Sequence, residues 1–220
     1  FARERYWVDP PACAGARALA TAREPAAAVH PLLGAPLRAA VGVTLFEQQI
    51  STAQPAYLSD HVIHGEAVFP AAGFVEILLA AADTLAPSQP SLIHDFVVAE
   101  PLPLQAGQPL LLQTVLTPGQ DGETTVEIFS TPSELPTVST HWTSHASARV
   151  RMQKADEALP AAASLEAIQH RCRQEGTVAG LLREHEARGI SYGPSFRGLE
   201  RLWIGDHESL GLVRWPETVA

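Results

Sequence analysis

The chain has 220 residues, enough for one sizeable domain or two small ones packed together. Fifteen Lys and Arg stand against 24 Asp and Glu, a net charge of −9, so no cationic cluster exists to neutralise a phosphate backbone, which excludes a nucleic-acid partner. Hydrophobic residues are 46% and charged residues 18%, which favours a buried core over disorder. The longest apolar stretch, Val68 to Ala82, is broken by Pro70 and Glu76, which excludes a helical membrane span.

The opening Phe-Ala-Arg-Glu-Arg-Tyr-Trp has neither a signal-peptide pattern nor an initiator Met, and reads as a cut from inside a longer chain. Cys13 and Cys172 are lone cysteines without metal-ligand spacing, which suits a reducing cytoplasm. Pro10 to Pro31 is rich in Ala, Pro and Arg, shows no period, and reads as linker. Leu37 to Ile50 suits an extended segment, with Val41, Val43 and Leu45 on one face.

A helix is expected from Pro70, whose missing N–H costs nothing at a first helical position. Phe74, Val75, Leu78, Leu79, Ala82 and Leu85 follow at helical spacing, and small residues fill most of the rest. This predicts a helix buried nearly all round, stopped by Pro87 and Pro90. Four strands are expected next: Leu92–Ala99, Leu110–Thr117, Thr124–Ser130 and Trp142–Met152, with a turn at Gly119 to Gly122. In the last, Ala146, Ala148, Val150 and Met152 alternate with His145, Ser147, Arg149 and Arg151. A second Ala-rich linker spans Lys154 to Ser164. Helical residues from Leu165 to Arg188 follow, interrupted by Gly176 and Gly180 and so readable as two helices. Strands Leu199–Ile204 and Ser209–Val213 close the chain. One buried helix and a run of antiparallel strands is an α+β architecture, a curved sheet round a central helix.

Two segments carry candidate chemistry. Asp60 to Pro70 places His61 on the approach to the helix, with Gly65 where backbone can come close to a ligand. The helix start adds unpaired N–H groups and partial positive charge. A base beside a pocket for a developing oxyanion suits removal of a proton next to a thioester carbonyl. The plainer reading is that His61 and His64 are ordinary polar residues entering a core element. Tyr192-Gly193-Pro194-Ser195-Phe196 is the second segment, otherwise a turn after a helix. Gly189-Ile190-Ser191-Tyr192-Gly193 matches the G-x-S-x-G nucleophile elbow, but helical residues precede it and Pro194 follows, so the hydrolase reading is rejected. A zinc site at His141 and His145, or at His61 and His64, is rejected too, because no Cys or carboxylate cluster completes it. No phosphate-cradling loop points to a nucleotide cofactor.

Together these segments resemble the dehydratase domain of modular type I polyketide synthases, which is similar to the dehydratase of animal fatty acid synthase. His61-x-x-x-Gly65-x-x-x-x-Pro70 stands as that family's H-x-x-x-G-x-x-x-x-P. Tyr192-Gly193-Pro194-Ser195-Phe196-Arg197-Gly198 resembles its Y-G-P-x-F-Q-G, with Arg197 for Gln. His30-Pro31-Leu32-Leu33-Gly34 resembles its opening H-P-L-L-G, and Phe1 to Trp7 is similar to the linker that trails the preceding synthase region.

The resemblance implies a double hotdog with the second hotdog incomplete: linker 1–29, first hotdog 30–154, linker 155–164, second hotdog 165–220. It implies loss of water from a 3-hydroxyacyl group, carried on the phosphopantetheine of an acyl carrier protein, to give a 2-enoyl thioester, with no cofactor or metal of the domain's own. His61 would be the base, the Gly65 N–H a donor to the thioester carbonyl, and Tyr192 a wall of the site. Pro70 and Gly193 would shape the backbone. The family's acid is an Asp in a D-x-x-x-Q/H motif of the second hotdog. None follows the second linker, where Asp206, Glu208 and Glu217 lack that context, so a chain ending at Ala220 is expected to dehydrate poorly. The implied partners are the carrier protein, neighbouring synthase domains and a second copy in a homodimer. The alternatives are a dehydratase-like double-bond isomerase or epimerase working through His61, and an inactive scaffold domain.

Overall fold

The structure is a computed structural model that describes residues 27–120, 122–133, 141–153 and 163–216. Phe1 to Trp7, Cys13, most of the first linker, Asp121 of the expected turn, 154–162 of the second linker and Glu217 lie outside the described residues.

In chain order the first part contains β1 (Ala35–Leu37), β2 (Thr44–Ile50), a 3-10 turn (Ala56–Asp60), β3 (His61–Ile63), β4 (Glu66–Val68) and α1 (Ala71–Leu85). It continues with β5 (Ser91–Val98), β6 (Pro103–Leu104), β7 (Leu110–Pro118), β8 (Glu123–Pro132) and β9 (Thr143–Met152). The second part holds α2 (Leu165–Arg171), β10 (Gln174–Gly176), α3 (Val178–Ala187), β11 (Ile190–Tyr192), a 3-10 turn (Pro194–Phe196), β12 (Leu199–Ile204) and β13 (Ser209–Val213). A six-stranded sheet runs in the order β1-β2-β7-β8-β9-β5, a four-stranded sheet β11-β3-β4-β6, and a three-stranded sheet β10-β12-β13. Every pairing is antiparallel.

The large sheet curves round α1. Phe74, Ile77, Leu78, Ala81 and Ala82 of the helix join Ile50, Leu112, Leu116, Val126, Ile128 and Val150 of the strands in one core. Each large side chain buried there contributes about 1.5–3 kcal/mol by leaving water. The four long strands follow from alternation of apolar and polar residues, which puts one face on the helix.

Three expectations need correction. Leu37 to Ile50 is not one extended segment: the chain reverses after Leu37, and β1 folds back on β2 with Ala35 opposite Glu47. Val41 is 69% exposed in that reversal, while Phe46 and Ile50 are buried. The helix begins at Ala71, with Pro70 as an extended N-cap at ψ 145°. Nor is it buried all round, since Leu79 is 47% exposed and lies with Glu76 and Asp83 on the face away from the sheet.

The alternation in β9 breaks at one point for a visible reason. Ile128 pairs with Ala146 and Phe129 with Ser144, which leaves His145 as the extra residue of a bulge. His145 therefore turns inward beside Ala146. Its Nε2 lies 2.8 Å from Ser130 Oγ, and its Nδ1–H donates to the Glu100 carbonyl at 3.1 Å. Both nitrogens are thus engaged within the core.

Candidate functional site

The four-stranded sheet joins the two parts of the chain. β3 pairs with β11 so that His61 lies opposite Tyr192. β3 and β4 are linked by His64 and Gly65, at φ 51° and 87°, the two positive values that a tight hairpin turn requires. The Gly65 position is set by this turn. A Cβ there would meet nothing within 4 Å, so the demand is on φ and not on space. Gly65 stands at the exposed tip of the hairpin and is not among the residues that line the cavity described next.

A cavity of about 450 Å³ opens beside His61. Its floor is His61, Pro70, Ala71 and Ala72 of the first part, and α3 with Tyr192 and Phe196 of the second part covers it. His61 Nδ1–H donates to the Val68 carbonyl at 2.7 Å. A carbonyl can only accept, so in the neutral ring this bond fixes the tautomer, with the hydrogen on Nδ1 and the lone pair on Nε2. The His61 ring lies 5.7 Å from Tyr192 and 5.4 Å from Phe196, and those two rings stack at 6.1 Å.

α1 delivers its N-terminus to the same cavity. The Gly73 N–H turns back to the Pro70 carbonyl at 2.8 Å. The amides of Ala71 and Ala72 precede it in the first turn, where no carbonyl of the helix can reach them. Pro70 is well suited there, because its own lack of an N–H costs nothing at an N-cap. Just ahead of His61, burial and then the nearby Glu76 carboxylate push the Tyr57 phenol above its ordinary pKa of 10.0.

The second motif is held by a residue that sequence reasoning missed. Asp60 Oδ2 accepts from the Ser195 N–H at 2.9 Å, and the Asp60 carbonyl accepts from the Gly193 N–H at 2.7 Å. A Cβ on Gly193 would stand 2.2 Å from Asp60 Oδ1, so here glycine is needed for close approach. Arg197, in the motif's Gln position, donates from Nε to the Tyr192 carbonyl at 2.7 Å and lines the cavity rim. Asp60-x-x-x-His64 happens to fit the bare spacing of the acid motif, but its carboxylate is committed to Ser195. His185 of α3 also lines the cavity, and nothing in its helical context singled it out.

The remaining expectations are placed as follows. α3 precedes Gly189 and Ser191 lies in β11, so no strand leads into the G-x-S-x-G pattern. Asp206 is 98% exposed beside His207. Glu208 is bound by Arg171 through both carboxylate oxygens, at 2.5 and 2.8 Å. Among the described residues no carboxylate lines the cavity, and no cluster of three His, Cys, Asp or Glu side chains is arranged to hold a metal. No described helix is long and apolar enough to cross a membrane.

Comparison with known proteins agrees with this architecture. The polyketide synthase dehydratase domain family matches residues 30–131, and the polyketide synthase dehydratase N-terminal domain matches residues 160–220. Mycoketide-CoA synthase of Mycobacterium tuberculosis (strain ATCC 25618 / H37Rv) is 31% identical over 98% of this chain, and phenolphthiocerol synthesis polyketide synthase type I Pks15/1 of Mycobacterium marinum (strain ATCC BAA-535 / M) is 29% identical over all of it. The chain spans only 5% and 10% of those proteins. The dehydratase domain from the CurK module of curacin polyketide synthase superposes with a TM-score of 0.79 at 30% identity, over 87% of this chain and 67% of that one. Solved forms of the CurK dehydratase include two inactive mutants, one with a histidine replaced by phenylalanine and one with an aspartate replaced by asparagine. A hotdog of one sheet round one helix, joined through β3 and β11 to elements of a second, is the double hotdog of these proteins, and the chain belongs to the polyketide synthase dehydratase domain family.

Proposed function

We propose that this domain removes water from a 3-hydroxyacyl thioester carried on the phosphopantetheine of an acyl carrier protein, giving the 2-enoyl thioester. His61 is the base. The observation that carries the reading is the Nδ1–H bond to Val68, which in the neutral imidazole leaves Nε2 as the acceptor, beside a cavity shared with the α1 N-terminus. Nε2 takes the α-proton. Negative charge then develops on the thioester oxygen, where the amides of Ala71 and Ala72 and the partial positive charge of the helix start stabilise it. Tyr192 and Phe196 exclude water from the reacting carbons.

The departing β-hydroxyl needs a proton donor. The inactive aspartate-to-asparagine form of the CurK dehydratase points to an aspartate in that role, and its inactive histidine-to-phenylalanine form supports His61 as the base here. Beyond the substrate's own phosphopantetheine, the chemistry requires no cofactor. Neighbouring synthase domains and the carrier protein are the partners, a homodimer is the assembly, and the cytoplasm is the compartment.

The test is His61→Phe in the synthase module that contains this chain, given a 3-hydroxyacyl-pantetheine thioester. Loss of the 2-enoyl product is expected. Unchanged turnover would mean a scaffold domain. Deuterium entering the product without loss of water would mean an isomerase.

A further inference from the structure

The face that α3 turns to the cavity is Val178, Leu181, Leu182 and His185, four positions of one helical stripe. Three aliphatic side chains make a wall suited to a hydrocarbon chain. The fourth is an imidazole. Its ring meets Tyr192 edge-on at 5.5 Å, and Tyr192 in turn touches His61. Nδ1 of His185 is buried, with no hydrogen-bond partner among the described residues.

Buried polar atoms are nearly always paired, so an orphan calls for a reason. A bare lone pair is a less costly orphan than an N–H. The neutral ring therefore carries its hydrogen on Nε2, and Nε2–H is the polar group His185 brings to an otherwise aliphatic wall. A leucine at this position would complete that wall and orphan nothing.

We propose that His185 is a specificity residue: its Nε2–H donates to a hydroxyl or keto oxygen that the acyl chain bears beyond the β-carbon. The site then selects oxygenated acyl chains over plain alkyl chains. This rests on the dehydratase reading, which sets the thioester head at His61 and the α1 N-terminus. With the head there, the α3 stripe is the apolar wall left for the rest of the chain.

The experiment compares the pantetheine thioesters of 3-hydroxyhexanoate and 3,5-dihydroxyhexanoate on the synthase module. Wild type is expected to favour the dihydroxy chain by about tenfold in kcat/KM, the net discrimination that one hydrogen bond gives. His185→Leu is expected to lose that preference through a raised KM for the dihydroxy chain, and His185→Gln, which keeps an N–H donor, to retain most of it. Should His185→Leu melt below wild type, His185→Met supplies the apolar variant. An equal ratio in wild type, or a ratio that survives the apolar variant, overturns the proposal. If wild type dehydrates neither thioester, it is the dehydratase reading that fails. The pantetheine amides of the same two acids, titrated by calorimetry, then decide the role of His185: a Kd ratio abolished by the apolar variant supports it, and an unchanged ratio overturns it.

Discussion

The carboxylate of Asp60 accepts the backbone N–H of Ser195 across 135 residues of sequence, at 2.9 Å. One residue thus precedes the candidate base and fastens the turn that carries the aromatic wall opposite it. Asp60→Ala removes the acceptor of the Ser195 N–H and should let Tyr192 and Phe196 shift. A displacement of an ångström costs up to about a hundredfold in rate, so kcat/KM for a 3-hydroxyacyl thioester is expected to fall by roughly tenfold to a hundredfold. Asp60→Asn keeps an acceptor and should recover most of it. Steady-state dehydration assays on the three proteins check this.

The two motif glycines should fail differently. Gly65→Ala forces a Cβ onto φ 87° in open space, a left-handed strain of about 1–2 kcal/mol. Gly193→Ala drives a Cβ against Asp60 and should cost about 1–3 kcal/mol by overpacking, with loss of turnover because the aromatic turn moves. Urea denaturation read together with turnover separates them: Gly65→Ala is expected to lose stability and keep most of its activity, Gly193→Ala to lose both.

The ion pair of Arg171 and Glu208 ties α2 to the turn between β12 and β13. The Arg171 hydrogen bond holds the Glu208 carboxyl below its ordinary pKa of 4.5, and both side chains remain open to solvent. A carboxyl whose folded pKa is depressed stabilises the fold above its unfolded pKa, and the contribution disappears as pH falls through the folded value. Wild type should therefore melt above Glu208→Gln at pH 7, with the gap closing below about pH 4 and narrowing in high salt. Thermal melts across that range measure it.

Ser130 and His145 form a buried pair in the first hotdog, at 2.8 Å. Ser130→Ala leaves His145 Nε2 without its partner, which should cost about 1–3 kcal/mol. The midpoint of urea denaturation should drop without a change in slope. An unchanged midpoint would show that water replaces the hydroxyl.

Much of the first hotdog is legible in the sequence, because β5, β7, β8 and β9 are long enough for alternation to register. β12 and β13 are legible for the same reason. β3, β4, β10 and β11 are not, since three residues carry no detectable period. The depth of α1 is not legible, because Leu79 and Leu85 count as core to a pattern, whereas the sheet covers only one side of the helix. Within the site, His61, Pro70, Tyr192 and Gly193 came from motif resemblance. Gly65 belongs to the same motif as His61, and the structure adds that it sits in the β3–β4 turn. Asp60 and His185 escaped notice, because an aspartate beside a histidine and a histidine on a helix signal nothing until folding shows what they face.

The pairing of β3 with β11 also has a temporal side. β7, β8 and β9 join neighbours in the chain, so their ladders close short loops at small entropic cost. Asp60 and Ser195 must find one another across most of the polypeptide, and contacts of that separation form slowly. The β7–β8–β9 meander is thus expected to form before His61 gains its opposing wall. During synthesis His61 would then precede the residues that close its cavity, so on the proposed dehydratase reading the growing chain is expected to stay inactive until its second half folds.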